Sequence, residues 1–333
     1  MCLARKTRLG IFLVALICVS ALFLVPPRAF AEYPDKPITI LVAFAAGGSV
    51  DTTVRALAAG AEKILGQPVI IENRPGGGGS VALAVLKGAS PDGYTLAGAT
   101  STAIVRVPQR RKVPYFPLKS FTPIFAYAQP PSAVVVKTDA PWKTFKELVE
   151  YARKNPGKVK YSTAGAGSFM HMAMEMVKVQ EGIRWIHIPY KGTMPALTAL
   201  LGGHVDACSA GPQFVGMVKS GKVRILAVQT KERMEEFPDV PAFPELGYSW
   251  YNNTLFSIFG PAGMAPEIVK KLEATFMKVA QTEKFKKILK QYAMVITNLG
   301  SKEYKDFLEK SWPEETEVLK KLGLIKKPAT SPR

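Results

Sequence analysis

Two rhythms of apolar residues alternate along this chain. Short apolar runs at 38–44, 69–72, 95–97 and 122–126 read as buried strands. Between the first two, Val54, Leu57, Ala58, Ala61 and Leu65 keep the three-and-four spacing of a helix that buries one face and stops at Gly66. The alternation begins again beyond Pro130-Pro131, with strands expected at 134–136, 159–162, 185–188, 205–209 and 223–228 and helices near 169–179 and 195–201. Thr144-x-x-Glu147 is a capping box, opening a helix that buries Phe145, Leu148, Val149 and Ala152 and closes at Asn155-Pro156-Gly157. Strands alternating with helices in this way predict an α/β protein with parallel strands.

The last third breaks the alternation. Residues 231–251 are rich in Pro, Glu and aromatics without a period and read as a crossover; after them come one strand, 255–259, a Pro261-Ala262-Gly263 turn and three amphipathic stretches within 266–322. One strand cannot make a sheet, so the chain is expected to return and complete its first unit. The expected architecture is two α/β lobes joined by two crossovers, with a ligand cleft between them. Lobe 1 is residues 32–133 plus 252–325, and lobe 2 is 134–251, including the crossover segment 231–251. Residues 326–333 read as a disordered tail.

The first 31 residues carry a different signature. Arg5, Lys6 and Arg8 precede an apolar run ending at Val25, and Ala29-Phe30-Ala31 offers a small-x-small cleavage site, which is the pattern of an export signal peptide. The run is about fifteen residues, short of the ~20 that span a bilayer. Ile17 stands where lipidation of Cys18 wants a small residue. Without this leader Cys208 is the only cysteine, so no internal disulfide is expected, and a chain this long needs none.

The formal net charge is +18, of which four charges lie in the leader, leaving +14. The remaining Lys and Arg are spread along the chain, with Arg110-Arg111-Lys112 the tightest cluster, so they describe a basic surface rather than a nucleic-acid face. Nor do motifs for other chemistry appear. Gly76 to Gly79 lacks the lysine of a phosphate loop, no GxSxG elbow is present, and His171, His187 and His204 are too scattered for a metal site. No cofactor and no metal are expected.

What remains is a repeated strand–glycine–helix design. Ala45-Ala46-Gly47-Gly48-Ser49-Val50-Asp51 joins a strand to a helix, and Ala164-Gly165-Ala166-Gly167-Ser168 does so in the second lobe. Both would aim helix-start N–H groups at an anion, so one small acid gripped from both sides is the expected ligand. Asp51 either caps its helix or orients the loop, and Ser168 either caps its own helix or donates to the ligand. The methionines 170, 172, 174 and 176 read as core filler.

The strings VAFAAGGSVDTTVRALA, VIIENRPGGGGSVALAVLKGASPDGYTL, IPYKGTMPALTALLGGHVDA, GKVRILAV and DVPAFPELG follow one another behind the leader. Together they resemble the solute receptors of tripartite tricarboxylate transporters, the Bug-type or TctC-like receptors, over nearly all of the exported chain. The resemblance implies a two-lobed, type II-like periplasmic binding fold that closes on a small organic acid by hinge motion. It implies a periplasmic, monomeric receptor, not an enzyme, that delivers a di- or tricarboxylate or related carboxylate to a transporter of one large and one small membrane subunit.

For the site, the resemblance points to Phe44, Ala46, Gly47, Gly48 and Ser49 in the first loop, then to Ala166, Gly167 and Ser168, with Tyr190, Lys191 and Asp206 near the cleft. Tyr190 could equally pack, Lys191 be solvated and Asp206 fix a turn. Many relatives carry a histidine with an asparagine after the strand ending at Gly98, where this chain reads Thr100-Ser101-Thr102. If that loop faces the ligand, Ser101 and Thr102 supply hydroxyls instead and specificity differs. The Trp250 to Asn253 segment either lines the cleft or packs at the hinge. Two other readings stay open: a receptor feeding a signalling kinase, and an exported enzyme with Ser101 or Ser168 as nucleophile.

Overall fold

The computed structural model describes residues 33–325. The expected leader, Cys18 within it and the expected tail at 326–333 lie outside the described residues.

The chain opens with β1 (Ile38–Val42), β2 (Val69–Asn73), β3 (Thr95–Thr100) and β4 (Phe121–Gln129). It then leaves at Pro130-Pro131 and builds a second sheet from β5 (Ala133–Lys137), β6 (Lys160–Thr163), β7 (Ile186–Pro189), β8 (Ala207–Ala210) and β9 (Val223–Val228). The chain returns to the first sheet with β10 (Phe256–Pro261) and β11 (Val295–Leu299). The strand orders are β11-β4-β10-β3-β1-β2 and β7-β6-β8-β5-β9, two α/β lobes as expected.

The all-parallel expectation needs correction. β1 runs parallel to β2 and β3, and β6 parallel to β7 and β8, but β10 is antiparallel to β3 and β4, β11 to β4, and β5 to β8 and β9. The reversed strands β5 and β10 are those that enter a sheet from the other lobe. Each crossover, whether 130–132 or 229–255, brings the chain to the facing end of the other sheet, so the strand it feeds runs away from the cleft, against its neighbours.

Helix α1 (Ser49–Leu65) buries Val54, Leu57, Ala58 and Ala61 as the spacing predicts and ends at Gly66 in the left-handed region. α2 (Ser80–Lys87) follows the glycine run. Residues 100–105, read as a loop, instead form α3 (Ser101–Val105), continued by α4 (Val107–Arg110). In lobe 2, α5 (Phe145–Lys154) begins at the expected capping box of Thr144 and Glu147, and α6 (Phe169–Glu181), α7 (Thr193–Leu201) and α8 (Phe214–Lys219) follow. The last third supplies α9 (Pro266–Ala280), α10 (Glu283–Gln291) and α11 (Ser301–Lys321). β11 and α8 have no counterpart in the sequence reading. β11 is an edge strand with Val295 and Ile296 exposed, so no alternation marks it.

α11 belongs to both lobes. Its first half places Tyr304 and Leu308 in the core of lobe 1 with Leu83, Phe121 and Phe259, whereas Leu319, near its end, and Leu322 just beyond pack with Trp142, Phe145 and Tyr161 of lobe 2. The segment 252–325, assigned from sequence to lobe 1, therefore contributes its end to the other core.

Candidate functional site

Loops at the carboxyl ends of β1, β3, β4, β6 and β8 surround one cavity between the lobes, the place where open α/β sheets bind ligands. It holds the centres of water-sized molecules over about 70 Å³, where one water needs about 10–15 Å³ on that measure. Three helix starts reach it: Ser49 and Val50 of α1, Phe169 and Met170 of α6, and Thr193 and Met194 of α7. The first N–H groups of a helix have no partner within it, and the helix dipole adds positive potential there. The lips of the cleft meet. A methyl built on Gly192, whose φ is +144°, would lie 3.7 Å from Ala45 Cβ, and one on Gly78 would lie 3.5 Å from Ala166 O.

Of the expected site residues, Phe44, Ala46, Gly48, Ser49, Thr102 and Ser168 line this cavity. Ala166, Tyr190 and Lys191 line a neighbouring depression, together with Gly76 to Gly79 and Arg111. Ser168 is an N-cap: its Oγ accepts from His171 N at 3.3 Å and donates to Gly165 O at 2.7 Å.

The remaining expected residues are placed elsewhere. Gly47 donates its N–H to Asp51 Oδ2 at 2.9 Å, and Gly167 donates to His171 Nδ1 at 3.3 Å, so neither amide is open to a ligand. Ser101 is turned away, its Oγ accepting from Leu255 N at 3.0 Å and its N–H donating to Leu255 O, which pins α3 to the returning chain. Asp206 lies at the amino ends of β6 and β8, at the far edge of the sheet from the cavity, where its carboxylate accepts from Lys160 N at 2.7 Å. A residue just before a parallel strand cannot face a cleft at the carboxyl ends.

Asp51 neither caps α1 nor lines the cavity. Gly48 holds the N-cap position, and the Asp51 carboxylate sits behind the loop, accepting from Gly47 N, Asn73 Nδ2 at 2.8 Å and Arg55 Nε at 3.0 Å. Burial alone would raise its pKa, but the hydrogen bonds from Arg55, Asn73 and Gly47 outweigh burial and hold it below the ordinary value. Asn73 also donates to Phe44 O at 3.0 Å, so one partly buried network fixes the first binding loop.

The sequence reading missed Gln213, Thr193 and Thr254, and it treated Met170 as filler. Met172 and Met174 do fill the lobe 2 core, whereas Met170 lines the cavity. A signal for Gln213 existed: Gly211-Pro212-Gln213 follows β8 and precedes α8, a third copy of the strand–glycine–helix pattern. Asn252 has both roles left open for its segment. It lines the cavity and joins the crossovers, donating from Nδ2 to Pro130 O at 2.7 Å and from its backbone N to Gln229 O at 2.7 Å.

Behind the start of α6 the rings of His171 and His187 stack at 3.9 Å, and Tyr161 stacks on His187. Arg110 of lobe 1 approaches His171 Nδ1 at 3.4 Å. Burial, then the neighbouring His187 and Arg110, hold His171 down at about 2, and burial holds His187 at about 4. Both are neutral near pH 7. Arg106, fully buried, pairs with Glu315 of α11 and stacks against the rings of Phe169 and Trp250 at 5.6 and 5.1 Å.

Residues 53–324 match the family described as the tripartite tricarboxylate transporter family receptor, TctC. A UPF0065 protein in the gbd 5′ region of Cupriavidus necator is 36% identical over 302 residues, covering 90% of this chain and 92% of its own. Among solved structures, the periplasmic binding protein BugD superposes with a TM-score of 0.83 at 30% identity, covering 89% of this chain and 100% of its own. MatC from Rhodopseudomonas palustris with bound malate gives a TM-score of 0.81 at 27% identity, covering 86% and 100%. The family and these structural neighbours are solute-binding proteins, not enzymes, and the hydroxyls of Ser101 and Ser168 are both engaged in backbone hydrogen bonds. The two-sheet fold, the cavity between the carboxyl ends of both sheets and the match over most of its length agree: the chain belongs to the tripartite tricarboxylate transporter receptors.

Proposed function

We propose that this protein captures a small carboxylate in the periplasm, holds it between its lobes and delivers it to a membrane transporter. The observation that carries the reading is the convergence of three helix starts on a cavity that, among the described residues, is lined by no acidic side chain. Such a surface attracts an anion and repels nothing about it. The basic, apolar leader supports export, the basic surface favours encounter with acids, and the relative with bound malate supports a ligand of this class.

A purified sample is expected to melt at a higher temperature with its acid present. At about a hundred times the dissociation constant the gain is ~2.7 kcal/mol. Recovery of the acid unchanged and in one-to-one amount distinguishes a receptor from an enzyme. A panel of mono-, di- and tricarboxylates, aromatic acids and acidic amino acids that leaves the melting temperature unmoved throughout overturns the proposal.

A further inference from the structure

α2 is apolar on every side. Between Ser80 at its start and Lys87 at its end every residue is Val, Ala or Leu; Leu83 and Leu86 enter the lobe 1 core, while Val81 and Val85 are 44% and 49% exposed. A surface helix ordinarily turns polar residues outward. Beside it stands a larger apolar group. Phe116 is 62% exposed, and a fixed turn holds its ring out: Phe116 N donates to Ser120 Oγ at 2.9 Å, and Phe116 O accepts from Ser120 N at 3.0 Å.

Two cations join these groups into one surface. At the start of α2, Arg111 donates to Ser80 Oγ at 2.6 Å; at its end, Lys87 donates to Pro114 O at 2.8 Å and lies 5.7 Å from the centre of the Phe116 ring. Residues 111–116 therefore run alongside α2 over its length of ~12 Å. The charge here has one sign. Asp92 is the only acidic residue from Arg74 to Thr138, and among the described residues no carboxylate pairs with the exposed side chains of Lys87, Arg111 or Lys112. A ring held out on a rigid turn, small apolar side chains next to it and cations around both match the boundary of an anionic bilayer. There, rings settle at the level of the headgroups and basic side chains reach lipid phosphates.

We propose that α2 and the turn at 111–120 form a face that binds the surface of an anionic lipid bilayer, with Phe116 entering the headgroup layer and Lys87, Arg111 and Lys112 meeting lipid phosphates. Gly77 to Gly79, just before α2, and Arg111 also line the depression beside the ligand cavity. A receptor resting on this face keeps its cleft next to the membrane, where the delivery proposed above takes place.

Co-sedimentation with lipid vesicles tests this, using protein purified from the periplasm and free of any acid. Binding to equimolar phosphatidylglycerol and phosphatidylcholine is expected to be at least about tenfold tighter than to phosphatidylcholine alone, and to be lost in salt of about 1 M, where the screening length falls to ~3 Å. Phe116→Ser is expected to weaken binding at least about threefold and Lys112→Glu about tenfold. Lys284→Glu makes the same charge change on α10, which packs with α1 on the other face of the sheet, and is expected to alter binding by less than about twofold. All three side chains are exposed, so melting temperature and carboxylate affinity are expected to stay at wild-type values. No preference for anionic vesicles, full binding by Phe116→Ser, or a loss with Lys284→Glu as large as with Lys112→Glu overturns the inference. With no acid present, none of these results bears on the receptor reading, and the wild-type preference decides even if a variant does not fold.

Discussion

At Asp51 a carboxylate accepts hydrogen bonds from Gly47, Asn73 and Arg55 at once, and so decides which amides of the first loop face the ligand. Gly47 N–H is held inward, which leaves the α1 start at Ser49 and Val50 to line the cavity. Asp51→Asn keeps the size and loses the charge. It is expected to weaken carboxylate binding about tenfold and to lower stability by about 1.5–3 kcal/mol, the range for hydrogen bonds to charged groups. Calorimetry and denaturant midpoints measure the two effects, and unchanged values in both would show that the loop holds its shape without the charge. The sequence placed Asp51 correctly at the start of a helix but left capping and orienting as alternatives. Deciding between them required Asn73, which arrives from a different strand.

Among the elements, α11 ties the two lobes to each other and to the site. Glu315 in its second half pairs with Arg106, which immediately precedes α4 in lobe 1 and lies against Phe169 at the start of α6 in lobe 2. Both charges are buried, Arg106 completely. Removing one partner of such a pair leaves the other stranded, so Glu315→Ala is expected to cost about 3–5 kcal/mol. A denaturation midpoint within error of wild type would refute this. The loss should also loosen the seat of Phe169, with weaker acid binding measurable where the variant remains folded. None of this was legible in sequence, because Arg106 and Glu315 are 209 positions apart and a charged pair carries no period. The helix itself was legible as an amphipathic stretch.

At the scale of the whole molecule, lobe 1 meets lobe 2 through the Arg110–His171 approach as well as through the crossovers joined by Asn252. The His171–His187 column faces Arg106, Arg110 and Lys178, with Glu175 the opposing charge. Both histidines bind protons less readily folded than at their ordinary value of 6.5. As pH falls below 6.5 the unfolded chain therefore takes up protons first, and stability is lost progressively toward pH 4, where His187 also titrates in the folded state. Between pH 7 and 4.5 the loss is expected to be on the order of 2 kcal/mol for each histidine. His187→Gln should flatten that slope relative to wild type, read from melting temperatures across the range. Parallel slopes would mean that the column is not the source.

The sequence by itself determined the local chemistry: where strands hand over to glycine-rich turns, where α5 is capped, and that two such turns would oppose each other. These features need only neighbours a few positions away, through the period of burial and the conformations open to glycine and proline. It also carried enough ordered motifs for its family to be recognised. The tertiary structure decided which donors remain free once the loops have paired with themselves. Gly47, Gly167 and Ser101 are occupied, Asp206 lies at the wrong end of its strand, and Gln213 and Thr254 are left unpaired. Hydrogen-bond saturation depends on groups brought together from distant parts of the chain, and no local pattern encodes it.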